Sequence, residues 1–291
     1  MNTEIIGHSF QLYLLKKALE KERLSHAFLF SGPEKVGKKT VAFSFSSQIL
    51  QTKELKNHPD FIFLEPKKEG IFLGVIGIDQ IRELILRLSL KPLKAKKKVA
   101  IIDEAHLMTL EAQNSFLKTL EEPKGECVIF LITEHPQWLL PTITSRCQEI
   151  KFYLVSKEIM LQFLKDKKVD QKLAEKLVEI SQGRPGRLIE YLIQEKLSKR
   201  EEYILLLKKV PFLSLKERLD LAEKLSRDEN LKEILIFWLE YVREILIKRL
   251  SDLQKTEKLK TFLKNLEELF LLLSRYSLNL NLALDNFFLK I

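Results

Sequence analysis

Cysteine is scarce: the 291 residues hold two, Cys127 and Cys147. Two thiols exclude a disulfide framework, and alone they are too few for a four-ligand structural zinc site. Long apolar runs are missing as well, since none reaches the roughly 20 residues that a membrane span needs. The opening MNTEIIGHSFQ lacks a basic start followed by an apolar core, so no secretory signal is expected. The chain has no internal repeat and no low-complexity segment. These absences point to a reducing cytoplasm and to no membrane partner. Methionine is sparse too, at three residues, and with abundant lysine and glutamate this composition is compatible with a thermophilic source.

What is present reads as an ordinary soluble protein, 45% hydrophobic and 31% charged, long enough for two or three domains with a real core. A formal net charge of +9 suggests an acidic partner, nucleic acid first. A lysine-rich solvated surface accounts for the same excess equally well. The densest basic cluster, Lys91, Lys94, Lys96, Lys97 and Lys98, precedes an apolar strand and reads either as a solvated loop or as a phosphate contact.

Periodicity divides the chain in two. Residues 9 to 22 put Leu12, Leu15, Ala18 and Leu19 on one helical face. An apolar strand at Ala27 to Phe30 follows, then a glycine turn, a helix opening at Lys38, and an irregular stretch from 51 to 77. Within that stretch, Asp60 to Leu64 reads as a short buried strand. Further strands are expected at Val99 to Ile102, Cys127 to Thr133 and Gln148 to Phe152, with helices over 78 to 88 and up to Leu120. Strands alternating with helices predict a parallel sheet covered on both faces. From Ser156 onward only helices are expected, two or three short ones around Gly183 to Gly186 and then long leucine-rich ones from about 199. In one of these, Leu231, Ile234, Leu235, Trp238, Val242, Ile245 and Leu246 form a stripe that Phe237, Leu239, Tyr241 and Ile247 extend round the other side. Such a helix suits a thick bundle core, a subunit interface, or both.

The chemistry centres on HAFLFSGPEKVGKKT, residues 26 to 40. Gly32, Gly37 and Lys38, after a strand and before a helix, fit a phosphate-binding loop, in which backbone amides and a lysine meet phosphate oxygens. Lys39 stands where a serine or threonine hydroxyl would ligate magnesium, and Thr40 comes one position late. An ammonium beside the metal position repels the ion, so ATP binding through Lys38 is compatible with this loop but efficient hydrolysis is not expected. Mg2+ enters only with bound ATP. About 65 residues later, the strand ending at Ile102 delivers Asp103 and Glu104, the first suited to holding the metal and the second to polarising water. Thr133 ends a third strand, where a polar group could sense a terminal phosphate. DEAH at 103 to 106 also occurs in helicases, but the all-helical remainder leaves no room for a second motor domain. His58-Pro59-Asp60 matches a co-chaperone tripeptide in the wrong setting, before a strand rather than between helices.

Taken together, HAFLFSGPEKVGKKT, IDQIREL, KVAIIDEAHLMTLEAQNSFLKTLEEP, PTITSRC and GRPGRL resemble the clamp-loader subunits of bacterial DNA polymerase III, the delta-prime type above all. The likeness is good over about residues 5 to 190; beyond it the match lies mainly in helical character and in the ending LNLALDNFFLKI. The resemblance implies an AAA+ nucleotide-binding domain over 1–154, a helical lid over 155–197 and an all-α oligomerisation collar over 198–291. It implies partnership with delta and gamma/tau subunits in a hetero-pentamer that loads the sliding clamp on primed DNA. It makes Arg146 an arginine finger acting in trans on a neighbour's ATP, with Ser145 and Cys147 setting its turn. Three departures follow. The interval Leu50 to Asn57 lacks the four-cysteine zinc module of many relatives, so no zinc is expected; the lid arginine of active motors falls on Gly186, with Arg187 one position later; and Lys39 removes the metal hydroxyl. The last two favour a non-hydrolysing subunit, while the intact Asp103–Glu104 pair keeps an ATP-hydrolysing motor subunit open, alongside a DNA-binding protein with a degenerate P-loop.

Overall fold

The computed structural model describes residues 4–21, 24–69, 72–248, 253–275 and 279–290. The chain divides into two compact units, Met1–Lys67 with Gly74–Ile189 and Lys68–Leu73 with Glu190–Ile291.

The first unit opens with α1 (Ser9–Glu20) and the buried strand β1 (Ala27–Ser31), which leads through a glycine loop into α2 (Lys38–Ile49). After β2 (Phe61–Leu64) come β3 (Lys68–Glu69) and β4 (Phe72–Leu73), an antiparallel pair that belongs to the second unit. This hairpin occupies the stretch expected to be irregular. Next come α3 (Ile78–Ser89), β5 (Lys98–Ile102), α4 (Leu110–Glu121), β6 (Cys127–Thr133), the short α5 (Pro141–Thr144) and β7 (Gln148–Lys151). Five strands form one sheet in the order β2-β5-β6-β1-β7, every pair parallel. Strands buried on both faces need apolar residues throughout, and β1, β5 and β6 are buried along their full length.

The two sheet faces carry separate cores. Ala27, Leu29, Ala100, Ile102, Ile129 and Leu131 point to the α3–α4 side, where Ile81, Leu84, Ala112 and Phe116 meet them. Phe28, Phe30, Val99, Ile101, Val128 and Phe130 point the other way, onto Leu15, Val41, Ala42 and Phe45. The alternation follows from the two-residue period of a strand. On the second face Phe28 stacks on Phe130 at 5.5 Å between centroids, and Phe30 meets Phe130 and Phe152. Three helices complete the unit, α6 (Lys157–Asp166), α7 (Gln171–Ser181) and the first part of α8 (Pro185–Leu192).

The basic cluster before β5 is held from below. Asp60 is buried and its carboxylate accepts the amides of Leu93, Lys94 and Ala95 at 2.7–2.8 Å. Lys98 is itself buried, its ammonium donating to the Arg87 carbonyl at 2.6 Å, and Lys97 pairs with Glu126 at 3.2 Å. Two of the five lysines therefore have structural work to do, which shrinks the surface on offer to an acidic partner.

Among its described residues the second unit is helical apart from the β3–β4 hairpin: α9 (Gln194–Lys209), α10 (Leu215–Ser226), α11 (Leu231–Lys248), α12 (Leu253–Arg275) and α13 (Leu280–Leu289). Its core gathers Leu225, Leu235, Trp238, Val242, Leu266, Leu269 and Phe288. Trp238 is fully buried and its indole donates to the Tyr203 carbonyl at 2.8 Å, as a buried indole must. On α11, Phe237 and Leu239 are buried as well, so the helix packs on more than one side. Ile247, expected to prolong that second face, is exposed instead.

Candidate functional site

The phosphate-loop segment leaves β1 after Ser31. Gly32 adopts φ +139°, and a methyl group there would lie 2.2 Å from the Phe152 carbonyl oxygen, so only glycine lets the loop pass so close to the backbone just after β7. Gly37 is the N-cap of α2, which aims the first-turn amides of that helix into the loop. The His8 imidazole meets the Val36 carbonyl at 2.7 Å and packs on the Phe152 ring, fixing the outer side of the loop to the segment before α1.

Lys38 is buried, and its ammonium donates to the carbonyls of Gly32 and Pro33 at 2.6 and 2.7 Å. Burial lowers its pKa, while Glu104, Glu134, Glu34 and Asp103 pull it back up. Lys39 turns toward the end of β5. Its ammonium is 2.8 Å from Asp103 Oδ2 and 3.6 Å from Glu65, and it lies 4.6 Å above the Phe63 ring. Helix α2 runs in regular register from its first turn, with the Val41 amide on the Gly37 carbonyl at 3.0 Å. Without a slip in register, it is Lys39 rather than Thr40 that reaches Asp103.

Glu104 follows in a left-handed conformation, φ 49° and ψ 45°, and a short helical turn of Ala105 to Leu107 precedes α4. Its carboxyl is pushed up to about 7, first by burial and then by the charges of Asp103 and Glu134, with Lys38 opposing. His106 is buried, its Nε2 3.6 Å from Glu104 and its Nδ1 3.2 Å from the Thr133 hydroxyl. Burial, then the neighbouring His135 and Lys38, pushes His106 down to about 4, so it is neutral at physiological pH. The buried Thr133 oxygen also accepts the His135 amide at 3.0 Å, so the hydroxyl is held between His106 and the His135 backbone. His135 stacks on Trp138 at 4.1 Å. Ligand atoms of His106, Glu134 and His135 thereby come within 4.8 Å of one another. No site pattern in the sequence marks His106, Glu134 and His135 together; their only signal is that DEAH and TEHP lie at the ends of the adjacent strands β5 and β6.

β1, β5 and β6 therefore bring Gly32, Gly37, Lys38, Asp103, Glu104 and Thr133 to one end of the sheet, as their spacing suggested. Magnesium does not fit the arrangement. The ion demands near-octahedral oxygen ligands at about 2.0–2.1 Å. The Asp103 oxygen that would supply one already holds an ammonium, and the position that should add a hydroxyl adds that ammonium.

Arg146 lies elsewhere. It sits in the turn after α5, two residues before Gln148, which pairs with Phe28 near the start of β1. The phosphate loop leaves the other end of β1, about 13 Å further along at roughly 3.3 Å per strand residue. The guanidinium donates to the Thr142 carbonyl at 2.8 Å and pairs with Glu121, at the end of α4, at 2.5 Å. It is about one-third exposed. Cys147 beside it is pushed up to about 12 by burial and Cys127 to about 11, so neither thiol is a nucleophile at neutral pH.

At the position where the resemblance would put a lid arginine, packing excludes a side chain. The Gly186 amide, at the start of α8, donates to the Lys35 carbonyl at 2.8 Å. A methyl group at 186 would lie 2.9 Å from that oxygen and 3.0 Å from the Lys35 Cβ. The close approach of α8 to the phosphate loop leaves no room for a side chain at 186, and Arg187, one position on, is buried.

Residues 7–156 match the family described as DNA polymerase III, delta subunit. Among curated proteins, the delta' subunit of DNA polymerase III from Bacillus subtilis is 37% identical over 154 residues, 48% of this chain and 45% of that protein. The tau subunit from the same organism is 31% identical over 168 residues, 54% of this chain and 30% of the relative. The matched region thus spans about half, or less, of these relatives' length. A crystal structure of a DNA polymerase III gamma subunit-related protein from Thermotoga maritima superposes with a TM-score of 0.55 at 25% identity, covering 96% of this chain and 98% of that one. With more than half of its residues matched, the chain belongs to the DNA polymerase III delta-subunit family of clamp-loader proteins.

Proposed function

We propose that this chain is a clamp-loader subunit of the delta-prime kind, which lends Arg146 to the ATP site of a neighbouring subunit and hydrolyses little or no ATP itself. The observation that carries this reading is the placement of Arg146 at the end of the sheet opposite its own phosphate loop. An arginine there cannot serve the phosphates of its own chain, so any phosphate it meets belongs to another molecule. An arginine finger needs an always-charged, planar cation on a fixed turn. Glu121 and the Thr142 carbonyl hold the guanidinium on a short helix end, and its five donors exceed those two partners. At the other end, Lys39 neutralises Asp103 in place of a metal, which removes a motor's hydrolytic apparatus.

In this reading the chain works in the cytoplasm with delta and gamma/tau subunits in a hetero-pentamer that places the sliding clamp on primed DNA. Residues 1–154 are its AAA+ domain, 155–197 its lid and 198–291 its collar. In a reconstituted complex, Arg146→Ala in this chain is expected to cut ATP turnover and clamp loading; normal turnover by that complex overturns the role. The motor reading rests on the intact Asp103–Glu104 pair and on similarity to tau. Turnover by the isolated chain that Glu104→Gln abolishes decides in its favour.

A further inference from the structure

The phosphate-loop end is not an eroded site with a missing part. It is a site in which a different cation has been installed. Asp103 still ends β5 beside the loop, buried and in need of a positive partner, and Lys39 provides one at 2.8 Å from the first turn of α2. The ammonium is steadied by Glu65 at 3.6 Å and by the Phe63 ring at 4.6 Å, both from the end of neighbouring β2. An ammonium carries three donors, one more than these two carboxylates take. Lys38 adds a second ammonium on the inner side of the same turn, and the first-turn amides of α2 point into the loop. The donors for a polyphosphate are present, and the charge that a divalent ion would bring is partly supplied by the chain.

We propose that Lys39 is a tethered counter-ion standing in the metal position, so that this loop binds a nucleoside triphosphate without a divalent cation. The proposal rests on the reading of this chain as a non-hydrolysing subunit and names the ligand of its silent site. It also gives that silence a cause. A bound nucleotide would be held between two ammoniums, with no metal to activate water and no coordination vacancy beside Asp103. Such a site suits a nucleotide kept as a structural ligand.

Equilibrium binding of ATP to the purified full chain, in excess EDTA and in excess magnesium, tests this. The affinities are expected to agree within about threefold, against the tenfold or more that a metal contact worth 1.4 kcal/mol would impose. Lys39→Thr restores the hydroxyl and frees Asp103, and its binding is expected to fall about tenfold or more in EDTA relative to magnesium. Lys39 is half-exposed, so the variant should fold, and a matching thermal melt checks that it does. Binding by the wild-type chain only with magnesium overturns the proposal. So does a Lys39→Thr variant as indifferent to the metal as the parent, or a chain that binds ATP in neither condition. None of these outcomes bears on Arg146, whose role is read in the assembled complex.

Discussion

The two ends of the parallel sheet make opposite use of charge. At the end where β1, β5 and β6 finish, positive and negative groups neutralise one another within the chain: Lys39 on Asp103, and Lys38 among Glu34, Asp103, Glu104 and Glu134. At the other end Arg146 is oriented by Glu121 and Thr142 yet stays partly open to solvent. A motor protein concentrates its reactive charge at the first end. Here the first end pairs its charges within the chain, and the second presents a partly exposed cation. Under the role proposed for Arg146, a phosphate-loop fold is kept as scaffold while its contribution to catalysis comes from the far end of the same strands.

That contrast can be broken at either end, and the largest effect is expected at Arg146. Arg146→Ala should slow hydrolysis at the neighbouring site by about 10³-fold, the lower range for arginine fingers. Arg146→Lys should recover little of it, because the ammonium lacks the planar fork. Turnover of the reconstituted complex in single-turnover mode measures both. A lysine variant as fast as wild type would reduce Arg146 to a general positive charge.

Next comes Gly186→Ala. Its methyl group meets Lys35 backbone that cannot yield as a side chain would, and overpacking of this kind costs about 1–3 kcal/mol. The expected readout is a Tm lowered by a few degrees; an unchanged Tm would mean that α8 is free to shift off the loop.

Glu104 offers a pH test of similar or smaller size. Its carboxyl, near 7 when folded against an ordinary 4.5, is raised. A raised carboxylate favours the fold while protonated, and that advantage is lost as pH rises from 4.5 through about 7. Glu104→Gln should therefore stabilise the chain at about pH 8, by no more than roughly 3 kcal/mol, and do little at about pH 5. Equal shifts in the melts at both values would contradict the buried, like-charged setting.

The smallest effect is expected from Glu121→Ala, which removes one tether of Arg146. Partly exposed pairs are worth about 0.2–1 kcal/mol, so turnover of the complex should fall no more than about fivefold. A loss as deep as that of Arg146→Ala would make Glu121 a participant rather than a support.

Much of this was legible in the chain itself. Apolar runs bounded by turn residues located β1, β5 and β6, because a strand buried on both faces leaves no polar position to confuse the pattern. Gly32, Gly37, Lys38, Asp103 and Glu104 could be named because a phosphate loop and a strand ending in carboxylates are local patterns. What was not legible depends on pairing across the fold. That Lys39 reaches Asp103, that the Thr133 hydroxyl meets His106, and that Gly186 abuts Lys35 are facts of register between distant segments. The β3–β4 hairpin was hidden for a different reason: two-residue strands carry no periodicity to read. Ile247 was misplaced on a buried face because a stripe on a long helix does not say where its neighbours end.

If the work is done at the Arg146 end while the phosphate-loop end hydrolyses nothing, the two ends respond differently to substitution. ATP turnover by one reconstituted clamp-loader complex, carrying either Arg146→Ala or Glu104→Gln in this chain alone, tests it most directly. The first variant is expected to collapse turnover at the neighbouring site and the second to leave it at the wild-type rate. Loss with Glu104→Gln and full activity with Arg146→Ala would contradict it.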